Sequence, residues 1–395
     1  MIPHGYSSIT EVINKDSDDD NEITVACYYF GNYHLGDSRN RVEKGEAWSE
    51  WELVKAARPR FPGHHQPNVP TWGYEDESDP TAMARKIEAA SEAGIDAFIF
   101  DWYWYDDGPF LDRPLDLGFL GADNVEKLKF SLMWANHDWI DIHPYTKGTP
   151  YKILYPGQVS RSTFETLTDH VIKNYFAHPS YWKINNLPYF SFYDLSNLLA
   201  SAGTVEEARL WLDGFREKAC EAGLEGLHLN AVVWGQPVLP VEKTPASTQE
   251  LVKQLGFDSV TSYVWIHHVP LDQKVTDYND VRDRYLQYWE SAEALYPIPY
   301  YPNVTMGWDS SPRANQNDLF DNSGYPFTNT IGNNTPENFA KALGISKERL
   351  QLRPRSERIL NINCWNEWTE GSYLEPDTRY GMRYLDAVKS IKRDP

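Results

Sequence analysis

The sequence predicts a (β/α)₈ barrel, and three observations carry that prediction. Eight apolar, β-branched or aromatic runs recur along the 395 residues, each separated from the next by a helical pattern or a long loop. Several of these runs are almost continuously apolar, as parallel strands buried on both faces must be. Polar and aromatic residues gather at their C-terminal ends, while the opposite ends carry mostly plain Lys, Leu or Gly. A barrel of this class builds its sites at the C-terminal ends of its strands. A doubly wound open sheet is the alternative. It would want a Gly-rich phosphate loop after the first strand, and Tyr28-Tyr-Phe-Gly-Asn-Tyr-His34 has no such pattern.

In order, the expected strands cover residues 23–30, 97–104, 129–136, 187–194, 227–234, 259–265, 301–308 and 359–368. The helices between them carry start and stop signals. Asp79-Pro80 reads as an N-cap followed by proline at the first helical position, and Gly94 as the stop. Thr204 with Glu207 matches a capping box, followed by the stripe Val205, Ala208, Leu212, Phe215 and Ala219. Val281, Tyr285, Trp289, Ala292 and Leu295 share a face before the seventh strand, and Met382, Leu385, Val388 and Ile391 form a closing helix. Three connections, 31–80, 137–160 and 309–335, are too long for simple barrel loops and are expected to wall a substrate site. Residues 1–22 read as an acidic, flexible tail and 23–395 as one catalytic domain.

Composition narrows the function. A formal charge of −20 argues against nucleic acid and anionic membrane as partners. No apolar run approaches the length of a membrane span. Aromatic residues make up 14% of the chain, and rings not needed in the core offer flat platforms on which sugars stack. Cys27, Cys220 and Cys364 are widely spaced and read as small buried hydrophobes, with no disulfide framework or zinc spacing. The N-terminus lacks the basic and apolar regions of a secretory signal, so the chain is expected to be cytoplasmic as written, or periplasmic or extracellular if a leader was removed. The oligomeric state is not legible.

The chemistry concentrates in Asn361-Ile-Asn-Cys-Trp-Asn-Glu-Trp-Thr-Glu-Gly-Ser-Tyr-Leu-Glu-Pro376, where Glu367 and Glu370 stand three positions apart. In a strand their backbones would lie roughly 10 Å apart. In a turn of helical curvature their side chains come within about 5–6 Å on one face, and Gly371 and Pro376 favour the turn. Two carboxyl groups at that separation suit glycoside cleavage with retention of configuration. At the other strand ends, Tyr29, Asp101, Tyr103, Trp134, Asn136, His137, Tyr193, Trp234, Tyr263 and Trp308 are candidates to contact the sugar. Asn366 and Trp368 join them from the carboxylate motif, and His64, Gln66 and Trp72 from the first long connection. His64 and His65 are adjacent and would point to opposite faces of a strand, so no metal set is expected, and no cofactor.

These residues resemble the WbsX-type proteins, which are similar to glycoside hydrolase family 99. The shared elements are Trp51 with Ala57 and Pro59, Gly63-His-His-Gln-Pro67, Trp72-Gly-Tyr74, Phe100-Asp-Trp-Tyr-Trp-Tyr105, Trp134-Ala-Asn136 and Trp365-Asn-Glu-Trp-Thr-Glu-Gly371. The resemblance implies a (β/α)₈ barrel and a retaining, endo-acting hydrolase of a microbial or algal polysaccharide. It further implies that Glu367 takes the proton of the sugar 2-hydroxyl, which attacks C1 to give a 1,2-anhydro sugar. Glu370 would then be the general acid and base. Two departures stand out. His137 follows Trp-Ala-Asn where many WbsX-like chains have an acidic residue, and Gly31-Asn32 replaces a common Pro-Gln. Mannose specificity is therefore not carried over. A glycosyltransferase or transglycosylase of surface polysaccharide assembly is the alternative, and a nucleotide-sugar enzyme would want an Asp-x-Asp site at a strand end. The obvious one here, Asp16 to Asp18, lies in the acidic tail. A non-catalytic carbohydrate-binding barrel is the third reading.

Overall fold

A computed structural model describes residues 22–392, so the expected tail falls outside the described residues except for Glu22. Eight strand positions form one parallel sheet that curls on itself: β1 (Thr24–Tyr29), β2 (Ala97–Tyr105), β3 (Lys129–Trp134), β4 (Leu187–Phe192), β5 (His228–Val232), β6 (Ser259–Thr261), β7 (Tyr300–Tyr301 and Asn303–Thr305) and β8 (Ile359–Asn363). Each pairs with the next, and β8 returns to β1 with Thr24 opposite Ile359 and Val25 opposite Leu360. The fold is the (β/α)₈ barrel that the pattern predicts.

The seventh position is broken for a simple reason. Pro302 has no N–H to give, so the ladder passes from β6 to Tyr300–Tyr301 and resumes with Asn303–Thr305 against β8. Its carbonyl is still used, accepting from Asn361 N at 2.9 Å.

Among the described residues, the helices that cover the barrel include α1 (Pro80–Ala93), α2 (Arg161–Val171), α3 (Val205–Glu221), α4 (Thr248–Leu255), α5 (Tyr278–Leu295), α6 (Pro336–Gln351) and α7 (Arg383–Lys392). In place of an α-helix the crossover from β2 to β3 carries a wide turn, Pro114–Phe119, and a short 3-10 turn, Val125–Lys127, and the Phe119 ring packs against Phe98 and Phe100. The N-caps and the glycine stop stand where the sequence puts them, although the Glu207 carboxylate accepts from Arg161 and Trp211 instead of closing the capping box. Asp79 accepts from Thr81 N, Gly94 adopts φ 87°, and Thr204 accepts from Glu207 N.

Some details differ. Leu295, expected on the buried stripe of α5, is half-exposed at the helix end, and Met382 precedes α7 and is also exposed. Cys27 and Cys364 are buried, but Cys220 is exposed: it follows buried Ala219 on α3, and one helical step of about 100° turns it to the outer face. The ends of the described chain meet, with Lys392 Nζ donating to Ile23 O at 2.8 Å and to Asp96 at 2.5 Å.

Candidate active site

The run expected to extend to residue 368 stops as a barrel strand at Asn363. The chain then crosses the barrel mouth, where Asn366–Glu367 pairs antiparallel with Ser372–Tyr373. Between them Trp368–Glu370 forms a single tight turn, closed by Gly371 at φ +65°. A Cβ on Gly371 would come within 2.9 Å of Asp309 Cβ, so the position needs glycine for both conformation and space. This turn directs Glu367 and Glu370 into one cavity.

Buried partners fix the turn from behind. Asn366 donates to Phe30 O at 2.6 Å and accepts from Phe30 N at 2.8 Å, tying the motif to the end of β1. The indoles of Trp365 and Trp368 donate to the two oxygens of Glu375 at 2.9 and 2.7 Å. Lys86 of α1 meets Glu375 at 2.5 Å and Glu77 at 2.6 Å, and Asn366 also donates to Glu77. Burial works against the Lys86 ammonium, but Glu375 and Glu77 together hold its pKa above the ordinary range. Burial raises Glu77 to about 7 in spite of Lys86.

The cavity into which the carboxyls open measures about 60 Å³. Of the predicted site residues it brings together Glu367, Glu370, Asp101, Tyr103, His137, Tyr193, Tyr263 and Trp308. Tyr263 donates to Asp101 Oδ2 at 2.8 Å, which leaves Oδ1 buried without a protein partner.

The centre of the site is a residue that sequence reasoning missed. Arg313, in the long connection after β7, donates to Glu370 at 2.7 Å, to Glu367 at 3.2 Å and to Glu50 at 2.8 Å. Tyr325 donates to the same Glu370 oxygen at 2.8 Å. Burial raises Glu367 well above the usual carboxylate range, with Arg313 opposing and Glu370 adding to the rise. Burial also raises Glu370, but Arg313 and the Tyr325 hydroxyl both pull it back. Asp101 is raised well above its ordinary value, again chiefly by burial. Burial would raise Glu50 too, yet Arg313, with a hydrogen bond from Thr369, outweighs it and holds Glu50 low. Glu242, equally unforeseen, accepts from Tyr193 at 2.5 Å and from the amides of Val238 and Leu239 at 2.6 and 2.8 Å. It thereby anchors one wall.

Other predicted residues lie elsewhere. Tyr29 packs inside the barrel against Phe98 and Phe100. Trp134 donates to Trp104 O, and Asn136 exchanges hydrogen bonds with the backbone of Asp194, so both are occupied within the fold. The Trp368 ring stacks on Tyr373 at 3.8 Å, away from the cavity. Trp234 lies behind Tyr193 and His267, at 5.1 and 5.3 Å. His64 and Gln66 both bind Asp309 Oδ2, at 2.8 and 2.6 Å. His64 lines a second, more polar cavity of about 300 Å³, which shares Trp308 as a wall with the first. Trp72 borders neither cavity and lies beneath the Arg85 guanidinium. Among the described residues, no group of three or more His, Cys, Asp or Glu side chains is placed to hold a metal ion, and no helix is long and apolar enough to cross a membrane.

The buried carboxyls thus face a cavity at the C-terminal ends of the strands, where barrels of this class build their sites. The chain matches the sequence model of the family described as "Glycosyltransferase WbsX" over residues 25–388 and belongs to that family. It is 27% identical over 383 residues to the uncharacterized protein WxcX of Xanthomonas campestris pv. campestris, covering 94% of this chain and 50% of the relative. The same protein from strain B100 matches at 27% over 376 residues. The chain thus spans about half the length of the curated relatives it matches. Among solved structures, a "Glycoside hydrolase-like protein" superposes with a TM-score of 0.58 at 15% identity, covering 94% of each chain. The GH99 endo-alpha-mannosidase of Bacteroides thetaiotaomicron superposes at 0.52 with 14% identity, covering 94% of this chain and 98% of that one. At such identities the likeness is one of fold.

Proposed function

We propose that this chain is a retaining, endo-acting glycoside hydrolase of a microbial or algal polysaccharide, with Glu367 and Glu370 as its catalytic pair. The observation that carries the reading is that one guanidinium spans both carboxyls inside a single buried cavity. Such proximity suits the close spacing, about 5 Å, of retaining enzymes better than the wider gap that admits a water between the two groups. In the route implied by the family resemblance, Glu367 accepts the proton of the sugar 2-hydroxyl. That oxygen bonds to C1 as the leaving oxygen departs with a proton from Glu370. Glu370 then takes a proton from water, whose oxygen attacks C1. The C1–O2 bond of the anhydro sugar opens and O2 recovers its proton from Glu367. Two inversions at C1 give net retention. The unpartnered Asp101 Oδ1 is suited to accept a hydrogen bond from a sugar hydroxyl.

The loop carrying Arg313 and Tyr325 is the wall tied directly to the carboxyls.

Transfer to a sugar hydroxyl in place of water is the second reading, favoured by the description of the family. One experiment tests both. Purified protein is incubated with defined polysaccharides, and both new reducing ends and chain-length redistribution are read. New reducing ends indicate hydrolysis, and longer products without them indicate transfer. Glu370→Gln should lower the rate on a natural glycan by about 10²–10⁴-fold, yet far less on a substrate whose leaving group needs no proton. Equal losses on the two substrates would remove Glu370 as the acid.

A further inference from the structure

We infer that Arg313 is a positioning residue which, pinned by Glu50, holds Glu370 as the ionised member of the carboxyl pair and leaves the proton on Glu367. The inference rests on the two-carboxyl reading above but concerns where the proton sits before any sugar is bound.

The first observation is an accounting of donors. A guanidinium has five N–H groups and no acceptor. Nε donates to Glu50 at 2.8 Å. Nη1 meets Tyr325 at 2.5 Å and Glu370 at 2.7 Å. Nη2 meets Glu50 at 2.8 Å and Glu367 at 3.2 Å. All three guanidinium nitrogens thus donate to protein groups. Arg313 arranges the carboxyls.

The second observation is asymmetry. Glu370 accepts a charge-assisted bond at 2.7 Å and a phenol at 2.8 Å, while Glu367 accepts one longer bond at 3.2 Å. Hydrogen bonds to the charged form favour it, and bonds from a cation are about twice as strong as neutral ones. Three buried carboxyls, Glu50, Glu367 and Glu370, share this one cation, so at least one of them is best protonated. Glu50 accepts from Nε of Arg313 at 2.8 Å, from Thr369 at 2.5 Å and from Asn32 at 2.6 Å. Glu367 is the least supported of the three.

The other charged and titratable groups do not reverse this order. Asp101 faces Glu367, and Glu242 faces Glu370, each as a buried acid that raises its neighbour. Burial holds His143 neutral, lowering it to about 3. The phenols of Tyr33, Tyr103 and Tyr263 are raised well above their ordinary value by burial and add no charge.

The proposed reaction needs the opposite distribution, with Glu367 ionised and Glu370 protonated. The arriving sugar must therefore loosen the Arg313 and Tyr325 contacts to Glu370, and the proton lost by Glu367 is the one Glu370 gains. Arg313 shifts toward the newly ionised Glu367. Charge is conserved within the cluster.

Neutron diffraction from crystals of the deuterated wild-type protein at neutral pH tests the inference without a substrate. A deuteron is expected on Glu367 and none on Glu370; a deuteron on Glu370, or on neither, overturns it. Because activity is not read, failure of the hydrolase reading leaves this result standing, and the reverse also holds. The positioning role is checked separately on whichever glycan the wild type turns over. Arg313→Lys keeps a charge but loses the fork. It should lower kcat by about 100-fold with little change in KM, and move the acidic limb of the pH–rate profile upward by about 1–3 units. A loss of rate with an unmoved limb would make Arg313 merely structural and overturn the role.

Discussion

At the scale of a residue, His143 has the plainest consequence outside the carboxyl pair. Its ring stacks on Trp139 at 5.0 Å, and Nε2 lies 3.8 Å from Glu50. Burial lowers its pKa to about 3, against the opposing pull of Glu50. Between about 6.5 and 3 the unfolded chain binds a proton that the folded chain refuses, so stability falls as pH drops through that window. The loss from this one group by pH 5 is about 2 kcal/mol. His143→Gln should flatten that part of the curve, as read by urea unfolding at pH 7 and pH 5. If wild type and variant lose the same amount, His143 is not the group responsible. The same scale marks the limit of the sequence. Glu367 and Glu370 are legible because a local turn brings them together. Arg313 is a lone basic residue in a loop of Asn, Asp, Ser and Pro, and its anchor Glu50 is 263 residues away. No local pattern marks either one. Asn136 and Trp134 mislead for the converse reason: they stand at a strand end, but their polar atoms are consumed by neighbouring backbone.

Among elements, a buried ionic cluster links α1 to the turn that carries the two carboxyls. Lys86 is buried and is the cation shared by Glu77 and Glu375, which in turn hold Asn366, Trp365 and Trp368. Removing one member of a buried ionic group strands the others, at about 3–5 kcal/mol. Lys86→Met should cost that amount in chemical denaturation, and Lys86→Arg considerably less. A cost below about 1 kcal/mol for the methionine variant would show that the cluster is not a support. Elements were legible where periodicity and caps agree, as in α1 and α3. They were less so where tertiary contacts decide. The run at 259–265 keeps strand composition throughout, yet β6 ends at Thr261 and Trp265 turns away so that its indole can donate to Asn303 O at 2.8 Å. A single proline splits β7, and its effect on pairing depends on which neighbour needs the missing N–H.

For the whole molecule, the barrel was legible because eight buried parallel strands leave eight apolar runs, a signal that survives errors at every boundary. The pattern did not show that the second crossover carries a turn in place of a full helix, since Leu115 and Phe119 are apolar in either form. The seam of the barrel has a separate consequence. β1 lies beside β8, and Lys392 caps the carbonyl of Ile23, so the beginning and end of the described chain are neighbours. The order in which the strands are joined is thus nearly independent of their arrangement in space. A circular permutant that links residue 392 to residue 22 through a short Gly-Ser bridge, and opens the exposed turn at Ala222–Glu225, should keep the same barrel. It should melt cooperatively, with the same buried-tryptophan fluorescence as the parent. In that rearranged gene the two glutamates would be encoded near the middle of the polypeptide, with β1 following β8 through the bridge. The carboxyl motif and the β1 end it grips would then emerge from the ribosome close together, where the natural order separates Phe30 from Asn366 by 336 residues.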